Sequence, residues 1–222
     1  MYPIKVIILG ATGNGIDILD SLLDINQSLG MQKYLCLGFL EDKESLQGKK
    51  VYQDYSVLGK LSKASEFSEE VFFVTAIGSA STYLRKSKII AHIPFERFIT
   101  VVHPTAYVSR SAEIGVGSVI LQHVTIANNV KIGSQVVILA NSVINHDSVI
   151  EDFTNIASGV CLSGHVHIER NCYIGTGSSI KEQVRIGEYS LIGMGSNVLQ
   201  NVPARSLVWG NPARVVNMLS FD

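Results

Sequence analysis

The stretch that decides the fold runs SVINHDSVIEDFTNIASGVCL over residues 142–162, and its pattern extends over residues 108–202. An aliphatic residue recurs at every sixth position from Val108 to Val198, and a small or branched residue follows four positions later, from Ser118 to Val202. Two phased series with one fixed period are typical of a solenoid. The residue two positions before each aliphatic points the same way as the aliphatic, which predicts a short strand facing a core.

The three residues after each aliphatic position must turn the chain, so three strands and three turns close one triangular coil. Five of these turns open with a glycine, at Gly115, Gly133, Gly175, Gly187 and Gly193, and we expect a positive φ there. Successive coils would stack about 4.8 Å apart as parallel sheets. An amphipathic helix, the alternative, fits neither this period nor the many β-branched residues.

The repeat resembles the left-handed β-helix of the hexapeptide-repeat acyltransferases, and the resemblance covers the whole C-terminal half of the chain. It implies a left-handed coil, whereas general connection rules favour right-handed crossovers. We therefore predict a left-handed parallel β-helix as the second domain.

The composition is that of a globular protein with 222 residues, 46% of them hydrophobic, and a net charge of −1. This charge argues against a nucleic-acid partner, which a basic patch would bind. No apolar run is long enough for a membrane span, and residues 1–5 start a strand and do not resemble a signal peptide. Cys36, Cys161 and Cys172 lack metal spacing, and Cys172 holds an inward repeat position. We expect a cytoplasmic protein.

Strands alternate with helices in the first hundred residues. Predicted strands span residues 4–9, 34–40, 71–77 and 98–102, and predicted helices span residues 16–29 and 82–91. This order predicts a Rossmann-like parallel sheet that binds ligands at the carboxyl ends of its strands. The predicted domains are therefore residues 1–102, the sheet domain, and residues 103–222, the β-helix with a C-terminal tail. The resemblance of the repeat to the hexapeptide acyltransferases favours a nucleotide sugar as the ligand of the first domain and a coenzyme as the ligand of the tail.

A glycine loop, Gly10-Ala11-Thr12-Gly13-Asn14-Gly15, follows the first predicted strand. A loop of this kind before a helix can hold phosphate on its backbone N–H groups. The acidic pair Glu41-Asp42 follows the second strand, where it would suit a ribose or simply face solvent.

The order of this loop, the acidic pair, Ile77-Gly78 with Arg85, and His103-Pro104 resembles the bacterial sugar acetyltransferases. That branch includes the N-acetyltransferases of nucleotide-linked 4-amino-4,6-dideoxy sugars and the sialic acid O-acetyltransferases. The resemblance implies a set of residues that bind the nucleotide sugar: Gly10, Gly13, Asn14, Gly15, Glu41, Asp42, Ile77 and Gly78.

One edge of the predicted prism is polar, and no glycine opens its turns. Acetyl transfer from a thioester needs a base for the proton of the nucleophile and a donor for the developing oxyanion. His146 faces outward and can be the base, Asp147 can fix its tautomer, and the Gly164 N–H occupies the same turn position one coil later. The resemblance assigns these roles to the same residues. An inert surface histidine is the alternative, and His123 and His165 remain unassigned.

The resemblance also implies a coenzyme site. Asn155 stands where a second histidine is frequent in the family, and Leu139 where asparagine is frequent. Glycine-rich turns leave bare backbone for a pantetheine arm, and the ending Gly-Asn-Pro-Ala-Arg resembles the motif that lines the coenzyme site. The implied coenzyme residues are Asn155, Gly175, Gly177, Gly193, Gly195, Asn211, Pro212 and Arg214, the last against a phosphate.

These inferences predict a homotrimeric, acetyl-CoA-dependent N-acetyltransferase of a nucleotide-linked 4-amino-4,6-dideoxy sugar for surface glycan synthesis. No metal and no covalent enzyme intermediate are implied. Two alternatives remain open at this point. One is O-acetylation of a sugar such as sialic acid by the same residues, and the other is a non-catalytic trimeric protein that binds ligands or supports assembly.

Overall fold

The computed structural model describes residues 2–220, in which a small sheet domain precedes a parallel β-helix. The outer limits of the two predicted domains, residues 1 and 222, lie outside the described residues. No helix within residues 2–220 has both the length and the apolar character that crossing a membrane requires.

The sheet domain has five strands in the order β3-β4-β2-β1-β5. Strands β1, β2, β4 and β5 are parallel, and β3 pairs with β4 in the antiparallel direction. The elements are β1 Ile4–Leu9, α1 Gly13–Leu29, β2 Tyr34–Leu40, β3 Lys50–Tyr52, β4 Tyr55–Gly59, β5 Val71–Thr75 and α2 Lys86–Ile90. Short 3-10 helices occupy Glu44–Leu46, Leu61–Glu66, Tyr83–Arg85 and Phe95–Arg97.

The predictions for the first two strands are confirmed at both ends. The third strand ends two residues early, at Thr75, and only Lys86–Ile90 of the second predicted helix is α-helical. The predicted fourth strand is wrong as a member of this sheet. Only Phe98 forms a bridge to it, with Phe73, while Val101–Val102 pairs with the β-helix. The hairpin of β3 and β4 was not predicted.

Three sheets form the faces of the β-helix, and the chain visits them in rotation. Sheet I contains β6 Val101–Val102, β9 Val119–Ile120, β12 Val137–Ile138, β15 Asn155–Ile156, β18 Tyr173–Ile174, β21 Leu191–Ile192, β23 Ser206–Gly210 and β24 Ala213–Met218. Sheet II contains β7 Tyr107–Val108, β10 Thr125–Ile126, β13 Val143–Ile144, β16 Cys161–Leu162, β19 Ser179–Ile180 and β22 Asn197–Val198. Sheet III contains β8 Glu113–Ile114, β11 Lys131–Ile132, β14 Val149–Ile150, β17 His167–Ile168 and β20 Arg185–Ile186.

The interior of the β-helix is a column of aliphatic side chains with a row of hydroxyls at its corners. Ile138, Ile144 and Ile156 are fully buried, and burying such a side chain contributes roughly 1.5–3 kcal/mol. The small residues of the second series satisfy their own polar groups. Ser148 Oγ, for example, donates to the Ser163 carbonyl and accepts from the Val166 N–H. Polar residues therefore fit a core position because the backbone of the next coil supplies partners.

The expectation of positive φ at the glycines that open the turns is wrong. Gly115, Gly133, Gly175, Gly187 and Gly193 have no positive φ. A Cβ at Gly115 would lie 2.5 Å from the Gly133 backbone, so close approach between coils is what requires glycine. The positive φ falls on the third turn residue instead, where His123, Asn129, Asp147 and His165 lie near 57–59°.

The sheet domain packs on the outer surface of sheet I. Val6, Ile8, Ile18 and Leu22 share one buried cluster with Val119, Leu121 and Val137 of the β-helix. A second link joins His103 Nε2 to Asp24 of α1, 2.9 Å apart. This packing leaves the edge between sheets II and III on the side of the prism away from the sheet domain.

Candidate active site

A cavity of ≈ 710 Å³ lies at the carboxyl ends of β1, β2 and β5. Helix α1 begins at its rim, and the side chain of Thr12, the N-cap residue, makes no hydrogen bond to that helix. The N-cap side chain thus leaves the start of α1 uncapped, and N–H groups and a helix dipole at such a start favour anions. Parallel strands place such a cavity at this end of a sheet.

The cavity collects most of the residues that the sequence predicts for the nucleotide sugar. Gly10, Gly13, Asn14, Glu41, Asp42, Ile77 and Gly78 all line it. Gly15 does not, because it lies against the Gly10 carbonyl, where a Cβ would come within 2.1 Å of the oxygen. The lining residues that the motif analysis did not name as binding residues are Thr12, Lys43, Leu61, Ala76, Ser79, Thr82, Arg85 and Ile89.

The carboxylates of the acidic pair, Glu41 and Asp42, accept hydrogen bonds from the backbone at the mouth of this cavity. One Glu41 carboxylate oxygen accepts from the Ala11 N–H at 3.2 Å, and the other accepts from the Lys43 N–H at 3.2 Å. Asp42 Oδ1 accepts from the Leu61 N–H at 2.9 Å, which leaves its second oxygen for a ligand. Both carboxylates are therefore held in place by backbone before any ligand arrives.

The edge between sheets II and III carries the predicted acid–base pair. His146 Nδ1 lies 2.8 Å from Asp147 Oδ2, and Asn129 donates to the other oxygen of Asp147 at 3.2 Å. The hydrogen bonds from His146 and Asn129 hold the pKa of the Asp147 carboxyl below its usual value. Because an ionised carboxylate only accepts, the Nδ1 of a neutral His146 carries the proton and its Nε2 carries the lone pair.

Gly164 lies directly against the ring of His146. A Cβ at residue 164 would stand 2.7 Å from Cε1 and 2.9 Å from Nε2 of His146, so only glycine leaves room for the imidazole. Among the described residues the Gly164 N–H donates no hydrogen bond, while its carbonyl accepts from Gln183. The structure thus brings His146, Asp147 and Gly164 together, with a free N–H beside the ring.

His165, which the sequence left unassigned, joins this group. Its Nε2 is 3.7 Å from Asp147 Oδ2, and its ring meets that of His146 edge-on with centroids 5.3 Å apart. His165 holds the same turn position as Asp147 one coil later, so stacking the sequence by coils would have placed it here. One ring nitrogen each of His146 and His165 and a carboxylate oxygen of Asp147 lie within 4.8 Å of one another.

The predicted coenzyme residues lie in three separate places. Asn155 is buried on sheet I, where Lys86 donates to its Oδ1. Gly175, Gly177, Gly193 and Gly195 lie on the edge between sheets I and II. Asn211 and Pro212 form the tip of the β23–β24 hairpin and are joined by a cis peptide bond, and Arg214 is exposed beside them.

The two candidate sites of one chain face different ways. None of His146, Asp147 and Gly164 lines the 710 Å³ cavity, because the sheet domain packs on sheet I and the His146 edge joins the other two sheets. Within one chain, the cavity and the His146 imidazole therefore do not form a single continuous site.

Comparison with known proteins agrees with this architecture. The family model described as "Bacterial transferase hexapeptide (six repeats)" matches residues 165–200. The GDP-perosamine N-acetyltransferase of Escherichia coli O157:H7 is 37% identical over 121 residues, which cover 52% of this chain and 55% of that protein. The chain thus spans about half the length of this curated relative.

Two solved structures match almost the whole chain. The acetyltransferase domain of PglB from Neisseria gonorrhoeae FA1090, in complex with acetyl coenzyme A, gives a TM-score of 0.85 at 25% identity, over 97% of this chain and 100% of that one. WeeI from Acinetobacter baumannii AYE gives a TM-score of 0.82 at 28% identity, over 96% and 99%. The comparisons confirm the resemblance to the hexapeptide-repeat sugar acetyltransferases that the repeat indicates.

Proposed function

We propose that this protein is an acetyl-CoA-dependent N-acetyltransferase that acts on a nucleotide-linked 4-amino-4,6-dideoxy sugar for surface glycan synthesis. The observation that carries the proposal is the His146–Asp147 pair at 2.8 Å with the Gly164 backbone against the ring. A base and an oxyanion donor side by side are what acyl transfer from a thioester requires.

His146 removes the proton of the attacking amine. Its Nε2 has the lone pair because Nδ1 donates to Asp147, and Asp147 stabilises the imidazolium that forms. The amine must be neutral when it attacks. As the C–N bond forms, the amine proton passes to Nε2, so charge on the nitrogen does not build up.

Gly164 stabilises the oxygen of the thioester. The carbonyl oxygen becomes negative as the tetrahedral centre forms, and the Gly164 N–H, which has no partner among the described residues, donates to it. A fixed backbone donor costs no reorganisation during the reaction. The C–S bond then breaks and the thiolate of coenzyme A leaves. The proton that His146 accepted passes to this thiolate, so the products are an amide and coenzyme A, and the neutral imidazole is restored.

The cavity of the first domain holds the nucleotide in a Rossmann-like arrangement. Arg85 and Lys43 line it and can pair with phosphate oxygens. The N-terminus of α1 adds its backbone donors. Asp42 has one oxygen free for a hydroxyl of the ribose or a donor of the base.

The relatives support both substrates. The curated relative is named for N-acetylation of GDP-perosamine, a nucleotide-linked substrate. The PglB domain was solved in complex with acetyl coenzyme A. We assign acetyl-CoA to the β-helix, along the glycine edge and the Asn211–Arg214 turn, and we place the reaction in the cytoplasm.

A homotrimer of left-handed β-helices completes the site. Because the cavity and the His146 edge face different ways in one chain, we propose that the cavity of one copy faces the His146 edge of a neighbour. Light scattering coupled to size-exclusion chromatography should give three times the mass of one 24.1 kDa chain. A monomer that retains full activity contradicts the shared site.

The test is turnover with matched acceptors. The protein is incubated with acetyl-CoA and with UDP-, dTDP- or GDP-linked 4-amino-4,6-dideoxy sugars, or with free sialic acid, and the products are identified by mass spectrometry. Acetylation of the amine of a nucleotide-linked sugar is expected. Acetylation of sialic acid alone would replace the proposal by sugar O-acetylation, and binding of coenzyme A without any product would favour a non-catalytic protein.

A further inference from the structure

Lys86 is a fully buried lysine at the junction of the two domains. It is the first residue of α2, and its ammonium group reaches the β-helix, where it donates to the Gln135 carbonyl and, at 3.3 Å, to Asn155 Oδ1. Both acceptors belong to turns and strands around sheet I. The lysine therefore crosses the domain boundary with its charged end.

Removal of the Lys86 ammonium group from water is unfavourable, and no opposite charge among the described residues offsets its free-energy cost. No carboxylate within residues 2–220 forms an ion pair with Lys86, and burial lowers its pKa to about 7. The neighbouring Gln135 side chain is also buried, with neither its nitrogen nor its oxygen bonded in the described part of the chain. Buried polar groups that stabilise little are commonly retained for a geometric or functional reason.

Adhesion between the domains does not need Lys86. The apolar cluster around Val119, Leu121 and Val137 already joins them, and the Tyr83 ring lies 5.8 Å from that of Tyr173. An apolar residue of the same length would serve adhesion at lower cost. The two hydrogen bonds of Lys86 thus need another explanation.

Asn155 links Lys86 to a ligand cavity. A cavity of ≈ 160 Å³ lies between the domains, and it shares Asn14, Gly78 and Ser79 with the nucleotide cavity. Its other wall comes from the β-helix and includes Leu139, Asn155 and Tyr173. Gly78 approaches Asn155 so closely that a Cβ there would lie 2.0 Å from Oδ1. The Asn155 amide is oriented by Lys86 at Oδ1 and by the Phe153 carbonyl at Nδ2.

We propose that Lys86 is a positioning residue for the sugar end of the substrate: by fixing the Asn155 amide against Gly78, it shapes the small cavity that extends the nucleotide site onto the β-helix. The second N–H of Asn155 Nδ2 then serves as a donor to a sugar oxygen, and this role replaces the coenzyme contact that the resemblance implies for Asn155. The inference rests on the proposed function, because it assumes a nucleotide-linked sugar in the larger cavity.

The geometry separates two parts of one ligand. The nucleoside diphosphate lies in the larger cavity, which Lys86 does not line, and the sugar extends into the smaller one. Loss of Lys86 should therefore weaken binding of the whole nucleotide sugar. Binding of the nucleoside diphosphate without its sugar should not change. A merely structural role would weaken both or neither.

The experiment compares Lys86→Met with the wild-type protein by calorimetry, using the nucleotide-linked sugar that the wild type acetylates and its nucleoside diphosphate. The expected result is that Kd and KM for the nucleotide sugar each rise roughly tenfold. This rise corresponds to the loss of about one hydrogen bond. The Kd for the nucleoside diphosphate and the KM for acetyl-CoA should stay within about twofold. Lys88→Met, an exposed lysine on the same helix, is the control.

Equal weakening of both ligands, or unchanged affinity in a folded Lys86→Met protein, overturns the proposal while leaving the acetyltransferase function in place. If Lys86→Met does not fold, Asn155→Ala is measured in the same way, and equal effects on both ligands again overturn it. A wild-type protein that binds no nucleotide sugar removes the proposed function and this inference together.

Discussion

The 710 Å³ cavity and the His146 edge illustrate two ways in which a fold builds a site. The cavity is concave, and loops at the ends of three strands line it on several sides. The edge is convex, and His146, Asp147 and His165 stand on it with side chains between 35 and 56% exposed. The first site is a recess with walls of its own, whereas the second only aligns groups on an open surface.

The difference follows from the repeat. A solenoid edge places identical turn positions at one inter-strand spacing, so it orients an imidazole, a carboxylate and an N–H with little help from other elements. It supplies no walls, however. In the homotrimer that we propose, a neighbouring copy of the chain excludes water from the edge, and the roles of the cavity and of the edge can be tested separately.

Replacing the base should give the largest effect. In His146→Ala the amine loses its proton acceptor, so kcat should fall by roughly 10²–10⁴, with a change in unfolding free energy of about 0.5 kcal/mol or less, because His146 is half exposed. Steady-state kinetics and thermal unfolding measure both.

His92→Ala, an exposed histidine of the sheet domain, is the control for that variant. If His146→Ala retains near-normal kcat as a folded protein, the role of base passes to His165, whose Nε2 is 3.7 Å from the same carboxylate.

Gly164→Ala tests whether the edge works by alignment. The added Cβ would lie 2.7 Å from Cε1 of His146, so the ring must move. A displacement of about 1 Å at a catalytic group can cost about 10²-fold, and we expect kcat to fall by roughly this factor with little change in the KM of the nucleotide sugar. Glu182→Ala, at the same turn position one coil later, is the control and should keep its activity. A normal kcat in Gly164→Ala would show that the His146 ring can move aside without loss of catalysis.

The β-helix was predictable because its signal is repeated along the whole segment, and Ile144 or Ile156 merely continue a series. Gly164 was found in the same way, by its position one coil after His146. His165 carried the same signal, one coil after Asp147, and its place on the same edge makes it the next candidate for the base. The positive φ assigned to glycines was wrong because contact between coils, as at Gly115, is a tertiary constraint that no local pattern contains.

The first domain was predictable in outline only. The runs at residues 4–9 and 34–40 are long and apolar, whereas β3 and β4 are short and partly exposed, so no clear alternation marks them. Lys86 gave no signal at all. It reads as one more charged residue on a surface helix, and its burial depends on Gln135 and Asn155 of the second domain.

Asp42 tests the cavity side of the comparison. Asp42→Ala should raise the KM of the nucleotide sugar about tenfold, since a charged acceptor is lost, and leave the KM of acetyl-CoA nearly unchanged. Asp42→Asn keeps an oxygen for the Leu61 N–H and so separates loss of charge from loss of loop structure. An equal rise in both KM values would mean that the two sites are not divided between the domains. The control is Asp54→Ala, because the Asp54 carboxylate is exposed and pairs only with Lys50 among the described residues.

At Lys86 we expect an effect on folding, namely a pH dependence of stability at the boundary between the two sites. Its folded pKa is lowered to about 7 by burial, while that of an unfolded lysine is about 10.4. Between these values the unfolded state binds more protons, so stability should increase with pH, by at most about 1.4 kcal/mol per pH unit. Below pH 7 the lysine is charged in both states and the slope vanishes.

Buried thiols have the opposite effect on stability, because burial raises the pKa of Cys36 to about 11. Their contribution begins near the unfolded value of about 8.5. Urea unfolding at several pH values from about 6 to 8.5 should therefore show wild-type stability rising relative to Lys86→Met, with Lys88→Met following the wild type. Parallel curves for wild type and Lys86→Met would mean that the ammonium group reaches water or a counter-charge, and that the junction between the domains does not hold it neutral.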